Sequence, residues 1–168
     1  MIVWSKLIRL IHWVVAVALI LNLYFLEEGE IIHEYVGYTA AAFVIIRLIY
    51  GFISKDMAAF INFPISLTSL IEFIRSKISF KKKDYTGHNP AASVVYILIW
   101  ACVLSLALTG WMMGLDIFFG EEWLHELHES ISLFTQILIV SHLIGMAVDA
   151  FSFKRKTWLA MFNGKKPY

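Results

Sequence analysis

Four stretches of this chain are long and apolar enough to cross a lipid bilayer, and nothing else in the sequence constrains the fold so tightly. A spanning helix needs about 20 mostly apolar residues at 1.5 Å each. The stretches run roughly over 4–26, 33–53, 91–115 and 124–153 of 168 residues. Hydrocarbon offers no partner to a free backbone N–H or C=O, so each stretch must be helical. The expectation is an all-α integral membrane four-helix bundle, one unit over 1–168, with a connector over 54–90 outside the bilayer. Only 16% of the residues are charged, against about a quarter in soluble domains. A net charge of +1 gives no case for nucleic-acid binding. A single cysteine, Cys102, excludes an internal disulfide.

The first stretch follows Lys6 and Arg9 as a signal peptide would. Its apolar run reaches Leu26, however, and Glu27-Glu28-Gly29-Glu30 follows in place of a small-residue cleavage site. It reads as an uncleaved first span. Asn89-Pro90 reads as an N-cap with proline at the first helical position of the third.

Charge sets the expected orientation. Lys6 and Arg9 precede span one. Lys55, Arg75, Lys77 and Lys81 to Lys83 lie between spans two and three, and Lys154, Arg155, Lys156, Lys165 and Lys166 follow span four. That places thirteen of fourteen basic residues at one end, with Arg47 near it. The other end holds Glu27, Glu28, Glu30, Asp116, Glu121, Glu122 and Glu126, and no Lys or Arg. The positive-inside rule puts both termini in the cytoplasm. The segment 64–80 is too polar to span. With Leu67, Leu70, Ile71, Ile74 and Ile78 at helical spacing, it reads as an amphipathic helix on the membrane lipid or packed on the protein.

Histidines inside apolar spans are costly and ask for named partners. His12 lies in span one toward the basic end, and His33 opens span two at the acidic end. His128 and His142 both lie in span four, fourteen residues apart. That spacing is close to four helical turns, so the two share a face about 21 Å apart along the axis. His12 then stands level with His142, and His33 with His128. Two imidazoles facing across a bundle core are what a six-coordinate haem iron requires, and no C-x-x-C-H is present for covalent attachment. Ala16, Gly37, Ser132 and Gly145 fall one turn from the four histidines, where a flat ring needs small neighbours or where helices pack closely. Arg9 and Arg47 sit near the basic-end pair, where haem propionates would want cations or where the positive-inside bias alone puts them.

Other readings stay open. His125 and His128, with Glu126 or Glu129, could hold a divalent metal, but this leaves His12 and His142 unexplained. A haem-free transporter would need no histidine pairs. His88, in TGHNPAAS, is either a solvated loop residue or a proton donor at a quinone site.

RLIHW in span one, HEYVGY, GHNPAAS, GWMMG, HESISLFTQILIVSH and the closing KTWLAMFNGKK resemble the bacterial cytochrome b561-type di-haem proteins. They are similar also to the b-type cytochrome subunits of membrane-bound nickel-iron hydrogenases. The resemblance implies two b-type haems, held by His12/His142 and His33/His128, and electron transfer between quinone and an extracytoplasmic redox partner such as a c-type cytochrome or an oxidoreductase subunit. Some relatives of this type oxidise superoxide and reduce quinone alone; an acidic outer entrance opposes that anion. Direction of electron flow and homodimer formation are left open by the sequence.

Overall fold

Ser5 opens the first helix by accepting from the Ile8 amide at 3.3 Å, one of the four donors a helix start leaves without a partner. This helix, α1 (Lys6–Tyr24), leads through an acidic turn at Gly29, with φ +78°, into α2 (Ile31–Ile53). A 3₁₀ turn at Phe60–Asn62 and an amphipathic helix α3 (Leu67–Ile78) follow. Asn89 caps α4 (Pro90–Met113), its Oδ1 accepting from the Ala92 amide at 2.8 Å. The longest helix, α5 (Glu122–Phe153), has 32 residues, or about 48 Å, so it outreaches a hydrocarbon core of about 30 Å. A short α6 (Ala160–Asn163) ends the chain's described part. The structure, a computed structural model, describes residues 3–78 and 89–165.

The chain is all-helical, and α1, α2, α4 and α5 are each long and apolar enough to span a membrane. Helix α1 packs along α2, α2 along α4, and α4 along α5; among the described residues α5 makes no comparable backbone contact with α1 or α2. The central core joins Ile11, Val15, Ala18 and Leu19 of α1 to Ala40, Ala41 and Val44 of α2 and Val103 of α4. Small alanines on α2 let the backbones approach, as membrane helix contacts require where no hydrophobic effect drives them together. Helix α3 rests on α4, so the connector is anchored to the protein.

One end of the bundle carries the starts of α1 and α4 and the finishes of α2 and α5. There the C-terminal segment folds back. Val3 and Trp4 donate backbone N–H groups to the Gly164 carbonyl at 2.8 and 3.1 Å. Gly164 has φ +75°, and a Cβ there would lie 2.7 Å from the Trp4 carbonyl oxygen, so only glycine fits. The turn after α5 is held by Arg155, whose guanidinium donates to Asp149 at 2.9–3.1 Å, and by the Thr157 hydroxyl on the same carboxylate. Among the described residues, the opposite end carries only the turns 25–30 and 114–121.

Candidate functional site

An unbroken helix carries a residue's direction through whole turns, and α5 has no proline between its two histidines. His128 and His142 therefore point the same way from levels about 21 Å apart. Helix α1 buries Ile8, Ile11, Val15, Ala18 and Leu19, and His12 sits on the flank of that stripe, where its ring reaches α5. The His12 and His142 rings stand with centroids 6.4 Å apart and planes at 60°. His33, in the first turn of α2, meets His128 with centroids also 6.4 Å apart, planes at 51°. All four rings are half-buried.

The spacing tests what such pairs could hold. Metal–imidazole bonds of about 2 Å on opposite sides of one ion, plus the inner half of each ring, put ring centres about 6 Å apart. Both pairs meet this, and in each the partners come from helices whose backbones are not packed together. His33 Nδ1 is buried with no hydrogen-bond partner. A Cβ added to Gly145 would meet nothing within 4 Å, and one on Gly110 would approach His128 Cε1 only to 3.7 Å. The donor set and its clearances fit a flat, six-coordinate iron cofactor at each level.

Aromatic and polar groups surround each pair. At the termini end, Trp13 lies edge-on to His12 at 5.3 Å, held by its Nε1–H donating to the Met161 carbonyl at 3.1 Å. Tyr96 of α4 approaches His142 at 5.3 Å and stacks on Trp100. At the other end the Asn22 amide donates to the His33 carbonyl at 3.0 Å, and Thr109 Oγ1 lies 2.8 Å from His128 Nδ1. The sequence reading missed Asn22, Tyr96 and Thr109. A lone amide or hydroxyl inside an apolar span was the available signal.

The two arginines are built into the termini end. Arg47 is fourteen residues after His33 on α2, hence on the same face at the lower level. It is 4% exposed, donates to the Ala58 carbonyl at 2.8 Å, and lies over Trp100, Phe60 and Phe63 at 4.9–5.6 Å. Arg9 donates to the Phe162 carbonyl. Each keeps one buried guanidinium nitrogen, Nη1 of Arg47 and Nε of Arg9, without a partner. Lys6, Arg9, Leu10, Trp13, Met161 and Phe162 line an open groove of about 470 Å³ at this end.

His88 lies outside the described residues. His125 does not join His128: it stands 3.6 Å from Glu28 and 3.8 Å from Glu129, in an exposed cluster that ties the α1–α2 turn to α5. Gly37 faces α1, a Cβ there falling 3.2 Å from Asn22 Nδ2, so its smallness serves the α1–α2 approach.

Residues 3–164, nearly the whole chain, match the family model of prokaryotic cytochrome b561. No curated protein and no solved structure matches the chain.

Proposed function

Because this chain belongs to the prokaryotic cytochrome b561 family, it is a membrane b-type cytochrome that carries electrons, and we propose that it carries them across the bilayer through two bis-histidine sites. His12 and His142 hold one haem at the termini end; His33 and His128 hold the second at the opposite end. The observation that carries this reading is the repeated 6.4 Å facing of imidazoles, both pairs anchored on α5. A b-type haem bound there supplies a one-electron couple at its iron. The chain's own residues do the rest. The imidazoles fix the two centres within one membrane thickness of each other. Trp13 and Tyr96 cover the rings at the termini end. Arg9 and Arg47 place two cations at that level, where they offset propionate charge.

In this reading both termini are cytoplasmic and the chain works as a single unit over 1–168. Quinone exchanges electrons at the cytoplasmic end. The groove at that end supports this: Leu10, Trp13, Met161 and Phe162 give it apolar walls, and Lys6 and Arg9 offer donors to quinone carbonyls. His88, which precedes α4 in the sequence, is the proposed proton carrier for quinone. At the outer end an exposed rim of Glu27, Glu28, Glu30, Glu121, Glu122 and Glu126 suits a basic redox partner, of the c-type cytochrome kind or a subunit of an oxidoreductase.

Sided membrane vesicles test the proposal. With the cytochrome reduced by quinol, impermeant ferricyanide should oxidise it rapidly in right-side-out vesicles and much more slowly in inside-out ones. Equal rates from both faces would overturn the sidedness and the separation of roles.

A further inference from the structure

We propose that Thr109 is a positioning residue for the outer site: its hydroxyl accepts a hydrogen bond from His128 Nδ1–H, fixing the tautomer that leaves Nε2 to bind metal. This rests on the reading of His128 as an axial ligand. One proton decides the tautomer. Thr109 Oγ1 lies 2.9 Å from the Ser105 carbonyl and 3.2 Å from that of Leu106, and 2.8 Å from His128 Nδ1. A threonine inside a helix turns its hydroxyl back onto the preceding turn's carbonyls, and those can only accept. The single hydroxyl proton goes to them, so the lone pairs face the imidazole. Nδ1 must then carry the hydrogen, and Nε2 is the nitrogen left bare.

The contact is sheltered. Thr109 is 5% exposed, and the ring lies close enough to α4 that a Cβ on the adjacent Gly110 would stand 3.7 Å from His128 Cε1. Among the described residues, His128 is the one of the four imidazoles whose ring makes a hydrogen bond; His33 Nδ1 has none. An imidazole that donates from its far nitrogen is a stronger electron donor to a metal, which favours the oxidised iron. Thr109 therefore holds the outer centre at a lower potential than its ligands alone would give, and it aims the ring across the gap to His33.

The test is redox titration of the purified haem-loaded protein. Thr109→Val keeps the shape and removes the acceptor. The outer centre's midpoint should shift positive and its haem affinity should fall, by about 10–100-fold, while the inner centre stays put. Thr109→Ser should restore both. An unchanged midpoint in Thr109→Val, or an equal shift in Thr109→Ser, would overturn the proposal. Should Thr109→Val fail to accumulate, ¹⁵N NMR of the ferrous wild-type protein decides: a protonated His128 Nδ1 is expected, and a bare one contradicts it. Retention of both haems in His128→Ala would instead overturn the ligand assignment, which separates the two failures.

Discussion

His128 and His142 share one face of α5, and each meets an imidazole from another helix at the same 6.4 Å centroid distance. The repeat makes two levels from one unbroken helix. Helix α5 is thus the common wall of both sites, and the packing of α4 against it sets their alignment.

Gly51 is where the connector after α2 closes onto the bundle. A Cβ there would lie 2.6 Å from the Phe60 ring and 2.8 Å from Arg47 Nη1. Gly51→Ala should cost about 1–3 kcal/mol through overpacking, despite the better helix propensity of alanine. Thermal unfolding in detergent should show the loss, with the haem spectrum of the folded protein unchanged.

Filling the groove at the termini end should separate quinone access from haem binding. Leu10→Trp adds bulk to a wall of that groove without touching a proposed ligand. The absorption spectrum should be retained and quinol-driven reduction slowed. His88→Ala should likewise keep the spectrum and slow quinone reactivity; wild-type quinone kinetics in both variants would remove quinone from this end.

The acidic rim should govern encounter with a basic partner. Glu122 and Glu126 are exposed at the start of α5. Reversing both to lysine should slow electron exchange with a basic c-type cytochrome by on the order of tenfold at low salt. The difference should shrink as ionic strength rises and the Debye length falls. Stopped-flow rates against salt concentration measure it.

The spans were legible in the sequence because bilayer thickness demands a length of apolar helix, and the expected 33–53 and 124–153 lie within two residues of Ile31–Ile53 and Glu122–Phe153. The facing of the histidines was legible because fourteen residues close on whole turns. Thr109 was not, since a threonine in an apolar helix reads alike whether it meets only its own backbone or a ligand. Gly37 reads equally as a seat for a flat ring beside His33 or as a close helix contact, and its approach to Asn22 of α1 is of the second kind. The return of Gly164 onto Val3 and Trp4 has no period to announce it, because the partners lie at opposite ends of the chain.

The most direct measurement is haem-to-protein stoichiometry of the purified chain and its four histidine variants, by pyridine haemochrome and redox titration. Two haems are expected in the wild type, with loss of one and the same centre in His12→Ala and His142→Ala, and loss of the other in His33→Ala and His128→Ala. A single haem in the wild type, or a folded variant of any of the four that keeps both centres, would contradict the two bis-histidine sites.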